Sequence, residues 1–249
     1  MILDDVSVDC VIFGFDGTSL KVLLHQINRK VLQQTLPSEI TEEQISRLYD
    51  HHPGMLDETL WNLFAAHVPV DQDLDAFALD LVRRAIGLKN VYLQQIEAFG
   101  AAKRVPYTRV ITVGYYALIN PAYHDLRKSA IAKTLQWFNV TELPPLCFDH
   151  AEIIRKGLEK LRWEAMYQPV GFHLLPEKFT LTEFQTLYEV LLNKKLDTRN
   201  FRKKISKMNL LIDTNEKQKN VAHRAAKLYQ FDMANYNRLK KEGLNFRIE

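Results

Sequence analysis

Two short stretches carry residues whose types and spacing could do chemistry. In "DQDLDAFALD", residues 71–80, carboxylates recur at Asp71, Asp73, Asp75 and Asp80. Hard divalent cations take several such oxygens, and the alternation superficially matches a calcium loop. The match stops at Ala76, where that loop needs glycine, and at Val82, where it needs a bidentate glutamate. Acids at the start of a helix favour its dipole, which is the expected role here. His51, His52 and His67 lack zinc-ligand spacing, so no metal site and no cofactor is expected. The second stretch is "TRNFRKKISKM", residues 198–208. Arg199, Arg202, Lys203, Lys204 and Lys207 crowd it, while Phe201, Ile205 and Met208 recur at the spacing of a buried helix side. Arginine suits guanine edges, asparagine suits adenine, and lysine suits phosphate.

The elements that must position these residues differ in character along the chain. Residues 1–177 hold 17 Lys and Arg against 22 Asp and Glu, and residues 178–249 hold 16 against 8. A mildly acidic body followed by a basic tail implies two domains, the second facing a polyanion. At 249 residues, 47% hydrophobic and 25% charged, the composition is that of a soluble globular protein. No apolar run reaches the roughly 18 residues of a membrane span, and "MILDDVSVDC" lacks the basic start of a signal peptide. A cytoplasmic protein without membrane partners is expected. Cys10 and Cys147 sit in apolar segments and read as buried free thiols.

"VDCVIFGFDGTSLKVLLHQI" reads as two strands around the turn "DGTS". Residues 31–57 are polar and punctuated by Pro37, Pro53 and Gly54, an insertion at the surface. Leu74, Phe77, Ala78, Leu81, Val82 and Ala85 recur at helical spacing, and Gly87 ends that helix. The strands "NVYLQQIEAFG", "RVITVGYYALI" and "TLQWFN" follow, then a helix led by Asp149 as N-cap. After "PVGFHLLP" the pattern becomes helix, short turn "KKLD", basic helix capped by Asp197, and hairpin, the order of a winged helix-turn-helix. Lys217, Lys219, His223 and Arg224 fall at the hairpin tip, the wing.

Residues 66–88 resemble the Nudix box, G-x5-E-x7-R-E-U-x-E-E-x-G-U with U a bulky aliphatic residue. Without gaps, Ala66 takes the first glycine, Gln72 the first glutamate, Asp80 the arginine and Leu81 the next glutamate. Val82 keeps the aliphatic position, Arg84 and Ala85 replace the paired glutamates, and Gly87 and Leu88 close the box. In the enzymes those glutamates hold the cations that neutralise the diphosphate and activate water. All four acidic positions are lost here, one with its charge reversed.

The whole chain resembles the Nudix-related transcriptional regulators of the NrtR and AraR type. "VDCVIFGFDGTSLKVLL", "GLKNVYLQQIEAFG", "VGYYALI" and "WFNVTELPPLCFDHAEII" are similar to their first domain. "YQPVGFHLLPEKFTLTEFQTLYEVLLNKKLDTRNFRKKI" is similar to their junction and reader helices. The resemblance implies a Nudix-like α/β/α sandwich over residues 1–150, a linker helix and junction over 151–175, and a winged helix-turn-helix over 176–249. It implies a homodimer binding double-stranded operator DNA, with the first domain sensing a small molecule. On DNA it places Thr198, Arg199, Asn200, Arg202, Lys203, Lys204 and Lys207 of the helix, with Lys217, Lys219, His223 and Arg224 of the wing. For the effector it points to the loop "AAKRVPYTR", in which Arg104 and Arg109 could clasp a phosphate or sugar hydroxyls and Tyr107 could stack on a ring. His67 and Glu97 flank the same expected cleft. Family members often read D-x-x-R-D-P-R-x-R there; Ala101, Val105 and Tyr107 depart from that pattern, which favours a sugar or sugar derivative over a diphosphate-bearing effector such as ADP-ribose.

The expected function is a ligand-responsive regulator, a repressor of a sugar or cofactor operon, and not an enzyme. The alternatives are a Nudix-type hydrolase with a non-standard metal site, and a DNA-binding protein whose Nudix domain only dimerises. With Gln72, Leu81, Arg84 and Ala85 replacing the acids, incubation with ADP-ribose or nucleoside diphosphate sugars and Mg²⁺ or Mn²⁺ should release no monophosphate. Metal-dependent release, lost on mutating residues 71–80, would restore the hydrolase.

Overall fold

The computed structural model describes residues 6–26, 60–87, 91–105, 109–123, 134–219, 224–243 and 246–248. The insertion expected at 31–57 lies outside them, as do Tyr107 and His223. The described residues form two compact units, which divide after residue 158; residues 159–249, with 15–20 and 120–122, make the second.

The first unit is built on a six-stranded sheet: β1 (Val6–Phe15), β2 (Leu20–Gln26), β3 (Phe64–His67), β4 (Tyr92–Phe99), β5 (Ile111–Ile119) and β6 (Thr134–Asn139), in the order β4-β5-β1-β2-β6. β1 runs parallel to β5 from Val6 to Gly14, and β3 pairs with β1 over Ser7–Cys10. Being central, β1 is buried on both faces, which is why its sequence is an almost unbroken apolar run. Side chains alternate across a strand. Val8, Cys10 and Ile12 therefore join Phe77, Ala78, Leu81, Val82 and Ala85 of helix α1 (Leu74–Ile86) in one apolar cluster. Gly87, at φ 71°, ends α1 by donating its N–H to the Arg83 carbonyl. The opposite face meets helix α2 (His150–Tyr167), where Gly157 lies against Phe13 and Ile96. The result is an α/β/α sandwich.

The second unit contains α3 (Leu181–Leu192), α4 (Thr198–Met208), the hairpin β7 (Leu211–Lys217) with β8 (Lys227–Phe231), and α5 (Met233–Lys241). Phe179 and Tyr229 exchange backbone hydrogen bonds at 2.9 and 2.8 Å, adding a third short strand to the hairpin. Phe172, Phe179, Phe184 and Phe231 pack as one aromatic core, with Phe172 stacked on Phe231 at 3.9 Å between centroids. This is a winged helix-turn-helix. Among the described residues, no helix is long and apolar enough to cross a membrane.

A side chain at Gly114 of β5 would place Cβ 2.7 Å from the Phe99 ring and 3.5 Å from Ile153 of α2. Gly114→Ala should lower stability by about 1–3 kcal/mol, the usual cost of overpacking a filled core, read as a lower urea midpoint.

Candidate nucleic-acid interface and effector cleft

The helix-turn-helix is locked by side chains reaching backbone ends. Thr180 accepts from the Glu183 N–H at 3.1 Å, and Glu183 returns the bond to the Thr180 N–H at 2.7 Å, a complete capping box at the start of α3. α3 stops at Asn193, which takes a left-handed φ of 50°. Glu189 then organises the turn. Its carboxylate accepts from Gln185 Nε2 at 3.0 Å, the Leu196 N–H at 3.1 Å and Lys195 Nζ at 2.8 Å. The bond from Lys195, followed by that from Gln185, holds Glu189 below the usual carboxylate range. Gln185 Nε2 also reaches Thr198 Oγ1 at 3.1 Å. α4 is capped by Asp197, whose carboxylate accepts from the Asn200 N–H at 2.8 Å.

Phe201 and Ile205 bury the inner side of α4, with the Phe201 ring 5.3 Å from that of Phe184. Thr198, Arg199, Asn200, Arg202, Lys203 and Lys207 are exposed, and Lys204 is half-buried. In the wing, Lys217, Lys219 and Arg224 are exposed. Asp213 and Lys227 join β7 to β8 at 2.7 Å, and Lys178 meets Glu216 at 2.6 Å. Exposed pairs of this kind contribute little to stability but fix the hairpin's charges in place.

On the Nudix-like domain, the positions that carry glutamates in the resembling enzymes have been absorbed into structure. Leu81 and Ala85 lie in the apolar cluster beneath α1, and Arg84 pairs with Asp80 at 2.8 Å on its exposed side. Asp75 accepts from the Tyr115 hydroxyl at 2.5 Å, tying the first turn of α1 to β5. Among the described residues no three His, Cys, Asp or Glu side chains come together as a metal-ligand set.

The expected effector residues do not share one environment. Arg109 is exposed and donates to the Gly100 carbonyl at 2.7 Å, closing its own loop. Glu97 is exposed, 3.5 Å from Lys156 Nζ, and His67 is half-buried at the end of β3. Arg104 requires a correction. Its side chain is only 4% exposed, and three of its five donors are taken: Nε and Nη2 bind the Asp149 carboxylate at 2.8 and 2.6 Å, and Nη1 donates to Thr112. A guanidinium held in this bidentate fashion is a fixed part of the interior, not an open clasp. Asp149 stands at the N-cap position of α2, as expected, and joins the same cluster. Its carbonyl accepts the first helical bonds, from Glu152 and Ile153, while its carboxylate serves Arg104.

Around this pair lies a polar cluster that sequence reasoning missed. Asp9 Oδ2 is 3.6 Å from Arg104 Nη2 and 3.7 Å from His150 Nε2. Thr112 and Ser7 share a hydrogen bond at 2.6 Å, and the Leu63 N–H donates to His150 Nδ1 at 3.2 Å. Burial pushes Asp9 up to about 7, with Asp149 adding to the shift and Arg104 opposing it. Burial likewise drives His150 down to about 3, so its ring is neutral. The available signal was Asp9 itself, a carboxylate inside the apolar run "VDCVIFGF".

Known proteins give the following likenesses. Residues 171–231 match the model of the NrtR DNA-binding winged helix domain. Over 237 residues, 93% of this chain and 84% of the relative, the chain is 27% identical to the ADPR-responsive transcriptional repressor NtrR of Acinetobacter baylyi. The crystal structure of Shewanella oneidensis NrtR complexed with a 27mer DNA is similar with a TM-score of 0.72 and 27% identity, covering 91% of this chain and 93% of that one. A MutT/nudix family protein from Enterococcus faecalis shares the fold at a TM-score of 0.65 and 20% identity, over 93% of this chain and 87% of its own.

If Arg104 is structural, Arg104→Met should cost about 3–5 kcal/mol, because Asp9 and Asp149 are left without their cation. The measurement is a denaturation midpoint. Unchanged stability with weakened small-molecule binding would return Arg104 to the effector site.

Proposed function

We propose that the chain is an NrtR-type Nudix-related regulator, acting as a ligand-responsive repressor rather than a hydrolase. The observation that carries this is the exposed basic face of α4 on a fully capped helix-turn-helix. Such a helix enters the major groove, with the wing cations Lys217, Lys219, Arg224 and His223 serving the flanking backbone. Likeness across more than nine-tenths of the chain to an NrtR structure determined with DNA supports the same reading. The protein binds as a homodimer to a roughly palindromic operator of a sugar or cofactor operon.

The effector is a nucleotide sugar or a sugar derivative, held by Arg109 and Tyr107 with His67 and Glu97 at the rim of the cleft. The responsiveness to ADPR in the name of the Acinetobacter baylyi relative supports a nucleotide sugar. Arg104 anchors the start of the segment bearing Tyr107 and Arg109 to Asp149 and Thr112.

In titrations against duplexes carrying two half-sites about one helical turn apart, affinity should fall steeply between low and physiological salt. Lys207→Ala should weaken specific and non-specific duplexes alike. A bound effector at about 100 times its Kd should stabilise the protein by about 2.7 kcal/mol and change its operator affinity. A thermal-shift panel of ADP-ribose, nucleoside diphosphate sugars and free sugars identifies its class. Failure of every genomic fragment to bind would end the repressor reading, and binding that no panel member alters would reduce the first domain to a dimerisation module.

A further inference from the structure

We propose a division of labour on α4: Arg199 and Lys203, with Ser206, form the ridge that reads bases, while Arg202 is a backbone clamp positioned by α3. This rests on the DNA-reading function above and assigns its specificity-determining residues. Successive residues turn by about 100° around a helix. With buried Phe201 as the inward direction, Arg199 and Lys203 each lie about 160° away, and Ser206 about 140°. They point away from the core. Thr198 and Arg202 lie about 60° and 100° to one side, Lys204 and Asn200 the same angles to the other.

The hydrogen bonds sort the side chains in the same way. On one flank, Thr198 Oγ1 accepts from Gln185 Nε2 at 3.1 Å, and Arg202 Nη2 reaches Thr182 Oγ1 at 3.4 Å. Both are drawn toward α3. On the other flank, Asn200 and Lys204 line a hollow of about 300 Å³ with Lys194, Lys195 and Asp197 of the turn. The ridge between them is exposed, and neither Arg199 nor Lys203 has a side-chain bond to a described residue. An arginine with all five donors uncommitted can present its fork to guanine O6 and N7. One already leaning on a neighbouring helix is placed at the groove edge, where phosphates run. Thr198 Oγ1 accepts from Gln185, which leaves its own hydroxyl hydrogen free to donate to an acceptor such as a phosphate oxygen. The flanks thus straddle the groove, each gripping one strand. Arg199 and Lys203 are one turn apart, about 6 Å along the axis, which corresponds to about two base-pair steps. The half-site chemistry is a pair of G·C base pairs at that separation.

The test is selection of bound duplexes from a randomised pool with the full chain, followed by titration of each variant on the preferred and on a scrambled duplex. Arg199→Ala should lose about 5- to 150-fold on the preferred duplex, little on the scrambled one, and relax one guanine position. Lys203→Ala should relax a second position about two steps away. Arg202→Ala should weaken both duplexes by the same factor, keep the base preference and flatten the salt slope by about one. Thr182→Val should reproduce the uniform loss in part, and Thr182→Ser should restore it, separating positioning from any general packing effect. Melting curves establish that each variant is folded. A change of base preference in Arg202→Ala with only uniform loss in Arg199→Ala overturns the ridge while leaving DNA reading intact. Wild-type behaviour of both variants overturns it too. A wild-type chain that enriches no sequence removes the DNA-reading function itself.

Discussion

A guanidinium taken out of water must be surrounded by anions and acceptors, and the first domain is arranged around that requirement. Arg104 draws together the loop after β4, the start of β5 through Thr112, and the start of α2 through Asp149. Its charge also makes a buried Asp9 tolerable in the central strand. Remove the cation and Asp149 loses its bidentate partner, while Asp9 loses the charge that opposes its neutralisation by burial. Asp149 is itself at the N-terminus of α2, where the helix dipole favours its negative charge. Strand, loop and helix are therefore held in one polar cluster, while apolar contacts supply the rest.

The second domain solves a different problem. A helix that presents cations to a polyanion repels itself and gains nothing from its outer face, so its position must come from elsewhere. Capping by Asp197 and the burial of Phe201 and Ile205 hold α4 on one side. Glu189 and Gln185 hold the turn that precedes it, converting side chains of α3 into hydrogen-bond partners for backbone ends that no helix or strand satisfies. The cations are left outside with their charges available to phosphates.

Within the first domain, α1 is the altered helix. Its Nudix-box positions are occupied by Leu81 and Ala85, which bury, and by Arg84, which pairs with Asp80. A helix that presents carboxylates in the resembling enzymes here contributes to an apolar core and a neutral surface pair. The fold survives because the apolar frame of the box, not its acids, carries the packing.

Much of this was readable from the residues in order. Apolar spacing marked α1 and the inner side of α4. The short-range capping of α4 by Asp197 was legible because a cap and its helix are adjacent in sequence. The acidic body and basic tail anticipated a second, polyanion-facing domain, because charge composition needs no contacts to be read. The tertiary structure decided what lies far apart in the chain. Arg104 and Asp149 are 45 residues apart and Ser7 and Thr112 are 105 apart, so no local pattern marks their meeting. Arg104 looked like a ligand clasp because an arginine in a polar loop is ordinarily exposed; only packing could show it buried. The place of Asp149 at the head of α2 was local, but the partner of its carboxylate, a distant guanidinium, was not. Periodicity records which side of an element is buried, but the partner of a buried charge is set by how the chain folds back on itself.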